Sequence, residues 1–457
     1  MTFSQLRPHL IATLALALPL TGSHLARMAI GVTDTVMIGW YGVDQLAAVV
    51  LATSFFFILF MLGSGYGIGV MGVNATAIAQ DNQTEVRRAT RMALWLSLLH
   101  SVLVLPVMWW SGSILLALGQ RPEIAAYAQE YLRIMCWAMA PQLCGLTLNS
   151  FLAAIGRPNV VLLITVAGIP LNMALNYSLI FGHFGAPELG VAGSAIASLT
   201  VIIFQLVLLG LCAARLRQAR PYHLFRNFWN PDWPKFSNIL LLGLPIGLTQ
   251  VAESGMFVGT NVMMGWFGND MLAAHGIALQ LASIAFMVHL GLSNAVTIRV
   301  GTYYGEHDRE DMRAAGISSI LLSIAFAAVT MTVFLIASEV IAGLYLDATD
   351  PRTPIIIALV GSLMVYAAMF QLADGMQVIA LGMLRGVQDT RVPMVLAIIS
   401  YWLVGLPLGA ILSLKVGLGP QGLWIGLLAG LACAAVLLMR RFWLGFSRGW
   451  TTLGQAG

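Results

Sequence analysis

Charge is the scarcest thing in this 457-residue chain: Asp, Glu, Lys and Arg together make up 9% of it, against about 25% in an ordinary soluble domain. With 59% apolar residues and a mean hydropathy of +0.86, that scarcity excludes a soluble globular protein. Segments of about ten residues with alternating polarity are missing, which excludes a transmembrane β-barrel. Cysteine is rare as well. Cys136, Cys144, Cys212 and Cys433 lie in apolar segments without a C-x-x-C pair. A disulfide framework or cysteine metal site is therefore the weaker reading, and buried small residues the better one. No P-loop, nucleophile elbow or acid-rich metal motif is found. "GIGVMG" (67–72) has the G-x-G-x-x-G spacing, but no strand precedes it, so its glycines read as helix-packing residues. The net charge of +4 implies no nucleic-acid partner, because it follows from where arginines lie relative to a membrane.

What the chain does have is long apolar runs between short polar loops. The runs predict twelve membrane helices, at 11–38, 46–73, 92–117, 126–153, 160–182, 190–214, 237–265, 272–298, 314–344, 354–384, 393–414 and 421–439. The expected fold class is an all-α polytopic membrane protein. With these spans, eighteen of the 23 Lys and Arg fall on one side and only Arg121, Arg352 and Lys415 on the other. The bias places both termini in the cytoplasm. Arg27 and Arg133 fall inside spans.

The chain also repeats itself. "DTVMIGWYGVDQLAA" (34–48) returns as "TNVMMGWFGNDMLAA" (260–274), with nine identities in the last thirteen positions. At the same offset of 226, Leu18-Pro19 meets Leu244-Pro245, and the basic loops "QDNQTEVRRA" and "EHDREDMRAA" coincide. Because the match reaches back to Pro19, the apolar N-terminus is read as a helix rather than a cleaved leader. "LGVAGSAI" (189–196) pairs with "LGPQGLWI" (418–425) near the ends of the halves. The expectation is a pair of pseudo-symmetric six-helix bundles: an N-terminal lobe 1–214, a cytoplasmic linker 215–236 and a C-terminal lobe 237–457. An even number of helices gives both copies one orientation, which is the geometry of alternating access.

Three acids fall well inside helices: Asp34, Glu253 and Asp374. A carboxylate at the bilayer centre costs about 2.5–3.5 kcal/mol on insertion scales, so such a residue is read as functional first. Neutral, hydrogen-bonded linkers between helices are the structural alternative. The repeat sharpens the point, because Asp34 stands opposite Thr260 and Glu253 opposite Arg27. Asn172 and Asn176, one turn apart, are candidate partners for Asp34 or simple helix glue. Gln280, Gln371 and Asn261 are candidate partners for Glu253 and Asp374. Desolvation and a like-charged neighbour both disfavour an ionised carboxylate. A pair of acids in one lobe should then take up a proton, a small cation or a cationic substrate in competition, which yields antiport. Pro19 and Pro245 each remove a helix hydrogen bond and favour a kink. His24, His100 and His289 read as packing or hydrogen-bonding residues, tryptophans near helix ends as interfacial anchors, and the 23 methionines chiefly as core filling.

With "GLSNAVTIRVGTYYGE" (291–306), "LGMLRGVQDTRVPM" (381–394), "FGAPELGVAGSAIAS" (184–198) and "ISYWLVGLPLG" (399–409), the chain resembles the MATE family, NorM branch, over about residues 8–445. The resemblance implies a multi-pass protein of the bacterial inner membrane. It would export cationic amphipathic drugs, such as dyes and fluoroquinolones, in exchange for Na⁺ or H⁺. It implies no cofactor, a monomer, and no enzymatic activity. It puts the cation or proton coupling on Asp34, Glu253 and Asp374, with the helix 8 amide at Gln280 and the helix 5 polar pair at Asn172 and Asn176. Any metal would be Na⁺ at Glu253 and Asp374. Phe370 stands where some relatives have Tyr, which removes a hydroxyl ligand and leaves a cation–π contact. The alternative is a lipid-linked glycan flippase on a related scaffold, for which basic residues should line the interior. A membrane enzyme ranks last, since D-D-x-x-D motifs are missing.

Overall fold

A computed structural model describes residues 3–347 and 349–449, and among them the chain is helical with no strand. The helices run α1 Phe3–Tyr41, α2 Val43–Ala79, α3 Gln83–Trp109, α4 Ser111–Ala117, α5 Pro122–Ala154, α6 Pro158–Phe181 and α7 Gly190–Arg215. They continue as α8 Trp233–Met264, α9 Asn269–Glu306, α10 Arg309–Gly343, α11 Thr353–Gly386, α12 Arg391–Ile398, α13 Leu406–Ala410 and α14 Pro420–Arg448. The wide turns Ile399–Gly405 and Ile411–Lys415 are π-helical and join α12 and α13 into one span, Arg391–Lys415. Eleven of these segments are long and apolar enough to cross a bilayer. The twelfth expected span falls on α5, which is long but interrupted by Pro141, Gln142 and Asn149. It tolerates them because it packs against α2, α3 and α7 rather than facing lipid along its length. Tyr131, Leu132, Met139 and Leu143 of α5 lie in the buried core with Ile38 and Val49.

Several helices begin earlier than hydropathy suggests. α3 starts at Gln83, inside the expected basic loop, because the Asn82 side chain accepts from the Glu85 N–H at 3.0 Å. α10 starts the same way, with Asp308 accepting from the Asp311 N–H at 3.0 Å. Asn82 and Asp308 are 226 residues apart, so the duplication preserves the cap. It also preserves the residue before it, left-handed at both Asp81 (φ 53°) and His307 (φ 59°).

The chain divides into two compact units, and their bounds differ from the expected lobes. One unit, called N here, is Gly22–Leu248; the other, C, is Met1–Thr21 with Thr249–Gly457. The first turns of α1 thus belong with the C-terminal helices, and the linker and the first half of α8 with the N unit. Both passages follow a proline within three residues, Pro19 and Pro245, through which α1 and α8 run as continuous helices. Periodicity cannot place such a passage, because the helix itself does not end there.

In lipid, helices associate through close packing rather than hydrophobic burial, and the glycines supply it. A Cβ at Gly65 would sit 2.1 Å from the Gly243 oxygen, and one at Gly247 2.2 Å from the Leu62 oxygen, so α2 and the first half of α8 meet backbone to backbone. Gly67 of the "GIGVMG" stretch lies against Leu146 and Thr147 of α5. The linker is held by ion pairs: Arg88 grips Asp232 through two nitrogens, and Lys235 pairs with Glu85. Arg88 holds the Asp232 carboxyl below the usual carboxylate range. Trp40, Trp110, Trp233 and Trp266 are all exposed at helix ends, where interfacial anchors stand.

Candidate functional site

In the N unit the structure gathers four polar residues from three helices. Asp34 Oδ1 accepts from Asn172 Nδ2 at 2.8 Å and from Asn176 Nδ2 at 2.6 Å. Oδ2 accepts from the Ser198 hydroxyl at 2.8 Å. Asn172 and Asn176 are completely buried, so α6 presents both amides to one carboxylate. Two features go beyond the expected triad. Ser198 of α7 completes it, and the fully buried Tyr131 of α5 lies within electrostatic reach of Asp34. The Asn176 carbonyl oxygen is buried without a partner. All three donors to Asp34 are neutral, so they orient and solvate the carboxylate without cancelling its charge. At the repeated position in the C unit, the Thr260 hydroxyl merely bonds back to the Met256 carbonyl at 2.9 Å.

In the C unit Glu253 and Asp374 are electrostatic neighbours, as the pairing of acids in one lobe requires. Their partners are not those expected. Gln377 Nε2, one turn beyond Asp374, donates to Glu253 Oε1 at 2.7 Å. Gln371 turns away and donates to the Ala282 carbonyl at 3.5 Å. Asn261 is exposed on α8, and Gln280 makes no hydrogen bond to either acid. Helical spacing allows the difference: positions 371 and 377 flank 374 but lie about 120° apart round the helix, so one can face Glu253 while the other turns away, and 253 and 261 are two turns and about 80° apart. Asp374 is 3% exposed, and no hydrogen bond among the described residues reaches its carboxylate.

Two further residues join this cluster. Tyr401 lies in the first π-helical turn, is completely buried, and has a hydroxyl without a partner. It is an electrostatic neighbour of Glu253, Asp374 and Arg385. Arg385, counted from the sequence among the cytoplasmic cations, is 7% exposed, within reach of Glu253 but not within 4 Å of any acid among the described residues. The Gln377 carbonyl oxygen is buried and unpaired too. Two carboxylates, an amide oxygen and a phenol oxygen in one dry cluster suit a small hard cation or a proton. Phe370 is turned elsewhere, edge-on to Phe257 at 5.9 Å and to Trp424 at 5.8 Å.

Other candidates resolve into packing. His100 bonds the Leu59 carbonyl at 3.0 Å, and His289 bonds the Ser323 hydroxyl at 3.0 Å. Arg133 is exposed, donates to the Trp109 carbonyl and stacks over its ring at 5.4 Å, against the C-terminal end of α3 rather than in the interior. A recess of about 480 Å³ on the C unit is lined by Met331, Met369, Met376, Met439 and other apolar residues. With no charged group in its wall it cannot serve coupling.

Comparison with known proteins follows the same lines. The family model described as MatE matches residues 19–178 and 245–411, two blocks that start 226 residues apart. A "Probable multidrug resistance protein NorM" of Rhizobium meliloti (strain 1021) is 45% identical over 434 residues, covering 95% of this chain and 93% of its own. A "Multidrug resistance protein NorM" of Burkholderia vietnamiensis is 37% identical over 445 residues, covering 95% and 94%. Among solved structures, an outward-facing multidrug resistance MATE family transporter of the MOP superfamily superposes with TM-score 0.86 at 21% identity, covering 96% of both chains. A MOP superfamily transporter from Pyrococcus furiosus Vc1 does so with TM-score 0.87 at 21% identity, covering 97% of both.

Proposed function

This chain belongs to the MatE family, and from that premise we propose that it is a secondary multidrug exporter of the bacterial inner membrane. It moves cationic amphipathic small molecules outward in exchange for Na⁺ or H⁺, by alternating access of its two units. It works as a monomer with both termini in the cytoplasm, a transporter rather than an enzyme. The names of its relatives support the drug-export part of this reading. The observation that carries the coupling part is the C-unit cluster: Asp374, buried with no hydrogen bond, beside Glu253, Gln377 and Tyr401.

A buried carboxylate without a donor is costly unless a cation or proton neutralises it. In the proposed cycle the coupling ion enters the C-unit cluster, where Glu253 and Asp374 supply charge and the unpaired Gln377 and Tyr401 oxygens supply ligands. The Asp34 site holds a third carboxylate, oriented by Asn172, Asn176 and Ser198, and a cationic drug or a proton relieves its charge in turn. Competition of drug and ion for negative sites makes their flows opposite. The membrane potential contributes about 2.3 kcal/mol per charge per 100 mV.

Ethidium efflux, measured in cells lacking other pumps, tests the acids. Glu253→Gln, Asp374→Asn and Asp34→Asn should each reduce export at least about tenfold, the worth of one charge-assisted interaction. Export unchanged in all three would remove the acids from the mechanism. Proton release or ²²Na⁺ uptake by proteoliposomes on adding a cationic drug then identifies the ion. The glycan-flippase alternative has less support, because the two clusters hold three acids against one neighbouring arginine, Arg385, with Arg27 two turns from Asp34.

A further inference from the structure

We propose that Arg27 is a specificity-determining residue that receives the carboxylate of those substrates that carry one. The inference rests on the export reading above and adds a second recognition element to it. Arg27 lies deep in α1, fourteen residues before the helix end at Tyr41 and eighteen after His9. At 1.5 Å per residue these are about 21 and 27 Å along the axis, beyond the reach of a side chain snorkelling to either end.

The helix presents two accessible faces of different character. Leu25, Val32 and Val36 form an apolar, exposed stripe, 37%, 48% and 43% accessible. Arg27 and Asp34 lie about 180–200° round from Leu25, within about 20° of each other. Space lies on that side: a Cβ added at Gly31, one turn from Arg27, meets nothing within 4 Å. Arg27 itself is half-buried.

No described residue uses its charge. There is no ion pair within 4 Å, no hydrogen bond to the guanidinium is found among the described residues, and its electrostatic neighbour, His24, carries no negative charge. The Asp34 carboxylate, two turns on, is already taken by Asn172, Asn176 and Ser198. An arginine kept in a membrane helix for structure is normally paired. Here all its N–H donors are available in a planar fork that fits a carboxylate in two parallel bonds. The repeat adds weight, because the same position in the second copy is Glu253.

The test uses two dyes that differ only at the carboxylate, rhodamine B with its free acid and the ethyl ester of rhodamine B, followed by efflux from cells lacking other pumps. Arg27→Gln should lower export of the carboxylate dye about tenfold or more and leave the ester dye within twofold of wild type. Arg27→Lys should restore part of the carboxylate export. Equal loss of both dyes, or no loss of either, would overturn the assignment while leaving the export reading standing. A wild type that exports the ester dye but not the carboxylate dye overturns it too. A wild type that exports ethidium but neither rhodamine overturns this inference alone, and one that exports none of the three sinks the export reading with it.

Discussion

At the scale of single residues, the proposed coupling chemistry depends on which donor reaches which carboxylate. The acids were legible because charge inside an apolar helix is conspicuous at any level of reading. Asn172 and Asn176 were legible because one-turn spacing puts them on one face, and both do reach Asp34. Gln377, Tyr401 and Arg385 were not singled out. Gln377 shares a face with Asp374, a signal that was present, but its reach to Glu253 on another helix is a tertiary fact. Tyr401 sits in the quoted "ISYWLVGLPLG" stretch and is turned inward by a π-helical turn that periodicity does not announce. The geometry separates two glutamines that look alike in the sequence. Gln377→Leu should reduce cation export about tenfold, by leaving Glu253 without its donor, whereas Gln280→Leu should stay within twofold of wild type. Ethidium efflux at matched expression measures both, and the reverse order would contradict the cluster described here.

At the scale of elements, twelve apolar runs translate into helices because a bilayer leaves the backbone no other partner. Where those helices begin and how closely they approach is set by short-range chemistry: the Asn82 and Asp308 caps, and the glycines between α2 and α8. Gly65 and Gly31 make a sharp comparison, since both are helical glycines of the N unit. Gly65→Ala places a methyl against the Gly243 and Gly247 backbone and should cost about 1–3 kcal/mol through overpacking. Gly31→Ala meets open space and should be neutral, or stabilising by up to about 1 kcal/mol through helix propensity. Thermal unfolding of the purified protein in one detergent checks both, and equal midpoints would show that the α2–α8 approach is not tight.

At the scale of the whole molecule, the units are cut across α1 and α8 rather than at the linker. The linker residue Asp232 belongs with the N unit, gripped by Arg88 and accepting from the Lys235 N–H at 3.3 Å. Because this pairing depresses the Asp232 pKa, its contribution is present above the ordinary carboxylate value and is lost as pH falls through the folded value. Asp232→Asn should therefore lower the thermal midpoint at pH 7 by about 2 °C, the scale of an ion pair worth about 1 kcal/mol. The gap from wild type should close as pH falls below about 4, near the ordinary Asp value. A gap that stays constant from pH 7 to pH 3 would assign the effect to packing instead.

The sequence alone determined the class of molecule, the duplication and the position of the three acids inside helices. Each follows from local composition or from an offset along the chain, and neither requires knowing which helix touches which. Only the tertiary structure decided that Ser198 completes the Asp34 site, that Gln377 rather than Gln280 or Gln371 serves Glu253, and that Arg385 turns inward. It also decided that the compact units divide just past Pro19 and Pro245. Those outcomes depend on contacts between side chains more than a hundred residues apart, or on packing around a helix that never breaks, and a one-dimensional pattern carries neither.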